Sequence, residues 1–354
     1  MSREYGNACM PTTVGWRPSI RRSIADAKGI LIHAMKLRAA SAILIVGLTL
    51  GACGREAAST DSWIFVSNFT ARSVTIFDGR TLTRAATIAL PGAPHALTVE
   101  PGGRRVWTAN SDGDSASVIE VAGRRLVTTI KVCAQPVRVA FTSIADRAYV
   151  ACGDGFLSTI DTSTMKVVKN EAIGFQPHDL VFGPAKHLWA VNRGSNDMSE
   201  IDPASGKLLN RFAAGPFANG LTFSPDDTYA YVTSKTWNSV VVLVMASKQI
   251  LGAIKVGKDP QFVAASDDGR WIYVANGGDG SVSVINAKTF QVAWSLKEGT
   301  APHGLAVSPD GKLLFVADQA ASFVSIIDTQ TRRVLKRLQP QQGPSDVALV
   351  PIAG

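Results

Sequence analysis

An aromatic residue recurs along this 354-residue chain at a nearly fixed interval: Phe65, Trp107, Tyr149, Trp189, Tyr231, Tyr273 and Phe315. Five of the six steps are 42 residues and the remaining one is 40. A fixed period of this length marks a repeat architecture, in which each unit buries its apolar face on the next. Around the aromatic column lie short β-branched runs such as Phe65-Val-Ser-Asn68, Trp107-Thr-Ala-Asn110 and Tyr273-Val-Ala-Asn276, each ending on a turn-former. A second strand follows (Val74 to Asp78, Val282 to Asn286), then a third with alternating apolar residues (Ala86 to Leu90, Val127 to Val132, Ile250 to Val256). A fourth begins after Pro94, Pro136, Pro177, Ala218, Pro260, Pro302 and Pro344.

Four strands in about 40–45 residues describe a propeller blade, and the strand-period patterning excludes helical solenoids. The Trp-Asp and Gly-His dipeptides of WD40 blades are missing, and the kelch period of about 50 is too long. The array opens on the aromatic column at Trp63 and closes on the post-proline column at Asp346 to Val350. The last strand is therefore expected to complete the first blade, giving a closed all-β ring of seven four-stranded blades over residues 62–351. Blades reading Tyr-Val-Ala-Asn-Gly-Gly-Asp-Gly-Ser-Val-Ser-Val-Ile-Asn (273–286) and Pro-His-Gly-Leu-Ala-Val-Ser-Pro-Asp-Gly (302–311) resemble the YVTN-repeat, YncE-like propellers. The resemblance implies the fold and a binding scaffold. Propellers of the lactonase type share the blade number and some of the turns.

Ahead of the repeats, Met35-Lys-Leu-Arg38 and the apolar stretch Ala39 to Leu50 form a leader too short to span a bilayer. It ends Leu50-Gly-Ala-Cys53, which resembles a bacterial lipobox with Cys53 as the lipidated residue; the other reading is a secretory signal with an incidental cysteine. Residues 35–52 are thus expected to be a signal peptide and 53–61 a tether. Residues 1–34 fit a translation start assigned too far upstream. A periplasm-facing propeller, held to the membrane by lipid alone, is expected. The 52 residues ahead of Cys53 carry seven Lys/Arg and two Asp/Glu, so removing them lowers the net charge from +8 to about +3. That balance gives no strong nucleic-acid footprint. A monomer is expected.

Cys133 and Cys152 map to one end of one strand pair, where an oxidising compartment favours a disulfide; two small buried hydrophobes are the other reading. The residue after each post-proline head is His95, Val137, His178, Asn219, Gln261, His303 or Ser345. Six of the seven are polar, and in a propeller this position opens the innermost strand at the channel mouth. With Arg193, Lys235 and Trp237 from neighbouring loops, they form the candidate site for a small anionic or sugar-like ligand or a partner protein. The other reading of each Pro-His is structural, its imidazole bonding backbone in the next blade. No cofactor is indicated. His95, His178 and His303 are also the candidates for a divalent metal, although ring positions one, three and six spread them around the axis. His187 lies off the column, in a turn where exposure is expected.

No Cys-x-x-Cys-His, Gly-x-Ser-x-Gly, His-Glu-x-x-His or phosphate-cradling glycine loop is present. Repeats held near 42 residues leave no long insertion to carry a catalytic lid. A binding module is therefore favoured over an enzyme. The alternative is a lactonase-type hydrolase that uses a channel histidine as base or metal ligand. A redox partner is conceivable by family analogy.

Overall fold

The computed structural model describes residues 59–352. The expectations for residues 1–34, 35–52 and Cys53 lie outside the described residues. Twenty-eight strands form seven separate four-stranded antiparallel sheets, with one short 3-10 turn at Pro184–Lys186. We number the blades in chain order. Blade one pairs the C-terminal strand Pro344–Pro351 with Ser62–Asn68, followed by Ser73–Asp78 and Thr83–Ala89. The ring is thus fastened by one strand from the C-terminal end and three from the N-terminal end, as the phase of the repeat requires.

The inner strands of blades two to seven are Pro94–Val99, Pro136–Phe141, Pro177–Phe182, Ala218–Phe223, Pro260–Ala265 and Pro302–Val307. Each packs on the inner strand of the next blade, and Pro302–Val307 packs on Pro344–Pro351 to complete the circle. The third and outermost strands run slightly earlier than the sequence suggested, as in Thr83–Ala89 and Gln249–Lys255. They are largely exposed at the rim, where an alternating pattern has only one blade face to bury.

Seven apolar clusters hold the ring, one in each interface between blades, and each contains one aromatic of the repeat. All seven aromatics are essentially inaccessible. Trp107, for example, packs edge-on to Phe141 of blade three at 5.5 Å between centroids, and its indole N–H donates to Glu100 at 2.9 Å. Tyr149 reaches across an interface to donate to Pro203 O at 2.8 Å. The column is the glue between blades, and no aromatic in it is free to stack on a ligand.

The asparagines that end many of these strands are equally internal. Asn68, Asn110, Asn192 and Asn276 are fully buried. Each donates through Nδ2 to two side chains of the following strand, such as Ser73 and Thr75 for Asn68 or Ser281 and Ser283 for Asn276. They are clamps inside their blades and do not line the mouth.

Candidate site at the axial mouth

The residue after each proline head reaches the axis because the backbone bulges there. Register on the neighbouring strand jumps from Pro94 to Ala96, from Pro136 to Arg138, from Pro177 to Asp179 and from Pro302 to Leu305. Corresponding jumps fall in the other three inner strands. A bulge leaves its extra residue out of the ladder and re-aims the side chain. Here the re-aimed residues include His95, His178 and His303.

The three imidazoles converge edge to face. Ring centroids of His95 and His178 lie 5.1 Å apart, and those of His95 and His303 5.7 Å apart. Each Nδ1 meets a backbone carbonyl of the next blade: Val137 O at 3.0 Å from His95, Asn219 O at 3.2 Å from His178, and Ser345 O at 2.8 Å from His303. The carbonyl can only accept, so Nδ1 carries the proton and Nε2 keeps its lone pair. No Nε2 has a protein partner among the described residues. Burial, with neighbouring cationic side chains, lowers the His95 pKa to about 3; burial also lowers that of His303 to about 4 and holds His178 well below its ordinary value. All three are neutral hydrogen-bond acceptors at physiological pH.

The imidazole–carbonyl bonds are the structural role open to each Pro-His, and the outward Nε2 lone pairs are what remains for a ligand. The three histidines are not, among the described residues, a group whose donor atoms all lie within 4.8 Å of one another. Among the described residues the one group of three potential ligands within 4.8 Å of one another is Cys133, Cys152 and Asp154, and two of those are spent in a disulfide.

Beside the imidazoles stands a positive patch from blades four and five. Arg193 is half-buried, has no carboxylate partner among the described residues, and lies 5.3 Å over the ring of Phe217. Lys235 lies 5.9 Å over the same ring and pairs with Asp259 at 2.9 Å, also donating to Gln261 Oε1 at 3.2 Å. Gln261 in turn donates to Asp259 and accepts from the buried Asn219. Trp237 is exposed, as are Phe175 and Phe217 on the adjoining loops.

Two predicted residues turn away from the mouth. Ser345 is fully buried, sharing its hydroxyl with Ser67 at 2.9 Å and donating to Pro94 O at 2.9 Å. Asn219 is fully buried and serves as a brace between inner strands, its Nδ2 donating to Gln261 O at 3.0 Å. His187, expected to be exposed, is instead three-quarters covered and bonded to Glu200 at 2.9 Å.

Directly beneath the histidines is a ring that the sequence reading missed. One residue further along the inner strands stand Ala96, Arg138, Asp179, Gly220, Phe262, Gly304 and Asp346. Arg138 bridges two carboxylates, Nε to Asp179 Oδ1 at 2.9 Å and Nη1 to Asp346 Oδ2 at 2.9 Å, while lying 4.7 Å over the ring of Phe262. Both carboxylates also accept backbone N–H groups, Asp179 from Leu180 and Leu221, Asp346 from Leu97 and Val347. One ion triad thus ties together the inner strands of blades one to five. Glycine at 220 and 304 permits close approach: a Cβ at 304 would sit 2.5 Å from Ser345 O and 2.6 Å from the Asp346 Cα. The signal was available in the sequence, because three charges in one column of otherwise small or apolar residues must pair when buried.

The triad forms a floor. On its far side a cavity of about 400 Å³ continues along the axis between Leu97, Val139, Leu180, Leu221, Leu305 and Val347, with none of the histidines in its wall.

A sequence model of the family described as "Lactonase, 7-bladed beta-propeller" matches residues 158–350. No curated protein matches the chain. Among solved structures the chain is similar to Kuenenia stuttgartiensis hydrazine synthase, at 21% identity and a TM-score of 0.69, over 77% of this chain and 94% of that one. A functionally unknown protein from Desulfotomaculum acetoxidans gives 16% identity and a TM-score of 0.71, over 81% and 98%. The dihydro-heme d1 dehydrogenase NirN, solved in complex with DHE, gives 15% identity and 0.62, over 83% and 76%. At these identities the likeness is one of fold. With the family match covering more than half of the chain and all seven blades closed into one ring, the protein belongs to the seven-bladed lactonase propeller family.

Proposed function

We propose that this propeller is a binding protein whose axial mouth takes a small organic anion bearing hydroxyl groups. The observation that carries the reading is Arg193, a half-buried guanidinium with no carboxylate partner among the described residues, set beside three neutral imidazoles whose Nε2 lone pairs have no donor among them. The guanidinium supplies charge-assisted donors for the anionic group, and the imidazoles accept from hydroxyls. Calorimetric titration with gluconate, glucuronate and inorganic phosphate tests it. Binding of at least one hydroxy acid is expected, with affinity falling tenfold or more in Arg193→Met, since a hydrogen bond to a charged group contributes about 1.5–3 kcal/mol. Equal affinity in the two proteins would remove Arg193 from the site.

The family match favours a second reading, a lactone hydrolase in which one Nε2 lone pair takes the proton of an attacking water. Base-titrant assays of lactone opening, with and without chelator, separate the two. Hydrolysis lost in His95→Ala, His178→Ala or His303→Ala, and insensitive to chelator, would replace the binding reading.

We further propose a YncE-like lipoprotein facing the periplasm, anchored through Cys53. Among the described residues no helix is long and apolar enough to cross a membrane. Cys53→Ser is expected to move the protein from the membrane fraction to the soluble fraction; persistence in the membrane would exclude the lipid anchor.

A further inference from the structure

Blade three is built differently from its neighbours at the mouth. Elsewhere the strand ends on a buried polar clamp, and in blades four, six and seven that clamp packs against a glycine three residues ahead of the inner strand's head. A Cβ at Gly174 or Gly299 would collide with the side chain of Asn192 or Asp318, and one at Gly257 would lie 2.7 Å from Asn276 Cγ. Space is thus one reason for glycine in this column, and Gly174 and Gly257 do not have a positive φ.

In blade three the same two columns hold Cys133 and Cys152, and the structure joins them in a disulfide with Cα atoms 5.8 Å apart. The clamp's partners have changed as well. Asn68, Asn110 and Asn276 oppose serines at 73, 115 and 281. In blade three Leu157 opposes Ala151, which sets the half-exposed Phe156 against Cys152. The second hydroxyl survives as Ser158, now accepting Cys133 N–H at 3.0 Å.

We infer that the disulfide is a covalent replacement for the glycine–asparagine clamp, and that it makes the mouth edge of blade three sensitive to redox conditions while the other blades are not. The bond pins a segment that matters to the site. Ala134 N–H donates to Asp154, Gln135 N–H to Asp114, and two residues further on Val137 O holds the Nδ1–H of His95. A dithiol reductant would supply two electrons and two protons; the S–S bond breaks, both cysteines become thiols, and the reductant closes its own disulfide. With Phe156 where the other blades have a serine, no asparagine and no first hydroxyl then remain to hold the strand end, and only the Ser158 bond to Cys133 N–H is left.

The test compares the full chain, oxidised and reduced, with Cys133→Ser/Cys152→Ser and with the clamp-restoring Cys133→Gly/Cys152→Asn/Phe156→Ser. Amide hydrogen exchange is followed by mass spectrometry. Reduction is expected to raise exchange at least tenfold in 132–138 and 152–158, leaving the equivalent segments of blades four and six unchanged. It is also expected to lower Tm by about 5 °C, as for loss of a cross-link closing a loop of this size. The serine variant should match the reduced protein with or without reductant. The restored variant should be indifferent to reductant and recover at least half of the lost protection. Loss of protection spread evenly over all blades, or a restored variant no better protected than the serine variant, would overturn the inference. Should the restored variant fail to fold, the blade-by-blade exchange of the reduced wild type decides alone.

Discussion

Replacing Arg138 by methionine would leave Asp179 and Asp346 at the floor of the mouth with no cation between them. Their side chains are 3% and 5% exposed, so water cannot take over the guanidinium's role. Removing one partner of a buried ion network costs about 3–5 kcal/mol, because an uncompensated charge is left behind. Each carboxylate would keep its two backbone N–H donors, which argues for the lower half of that range. For a domain of this size the loss corresponds to a fall in Tm of about 6–12 °C at pH 8. The deficit should shrink on acidification. Burial already raises the pKa of Asp346, and losing Arg138 raises it further, so the folded variant binds a proton more readily than its unfolded chain. Stability tied to such a group rises as pH falls toward its folded pKa. Arg138 also contributes to holding His95 and His303 neutral, and its removal acts in the same direction. Scanning calorimetry of wild type and Arg138→Met from pH 8 to pH 5 measures the difference. A deficit below about 2 °C, or one constant with pH, would refute the reading of the triad as a buried, mutually compensated network.

Two further outcomes follow from the same geometry. Gly304→Ala is expected to destabilise by about 1–3 kcal/mol, since its Cβ meets the backbone of the closing strand and not a movable side chain; a neutral result in a denaturant titration would mean that the inner strands can part. Wild type itself should lose stability between pH 6.5 and pH 4. The histidines are depressed in the fold and protonate first in the unfolded chain, so each adds up to about 1.4 kcal/mol per pH unit in that window, and His95→Asn should flatten the slope of Tm against pH.

How much of this was legible in the chain depends on which physical term decides each feature. Blade number and ring closure were, because every period repeats the same burial pattern and the phase leaves one strand over at each end. Interblade packing of Trp107 and its equivalents followed from an aromatic on a core-facing strand. The column of His95, His178 and His303 was legible, but ring positions one, three and six suggested that they would be spread around the axis; their convergence, tautomer and tilt depend on a bulge whose position no residue type announces. Ser345 and Asn219 share that column yet turn inward, because a short hydroxyl and an amide find backbone partners in neighbouring strands before they can reach the axis. The column of Arg138, Asp179 and Asp346 was overlooked although its charges sit among small and apolar residues. The disulfide stayed open because spacing cannot fix a Cα separation. His187 was misjudged as exposed because its partner Glu200 is on the neighbouring strand.

The central claim is that three uncharged imidazoles and the Arg193 guanidinium, which has no carboxylate partner among the described residues, form one receiving surface. Long-range ¹H–¹⁵N correlation spectra of histidine-labelled protein, recorded at pH 5.5 with and without gluconate, test it most directly. Expected are three histidines in the neutral Nδ1–H form whose Nε2 signals shift as gluconate is added, with the shift abolished in Arg193→Met. Imidazolium signals from these residues at pH 5.5, or Nε2 resonances that ignore every hydroxy acid tried, would contradict it.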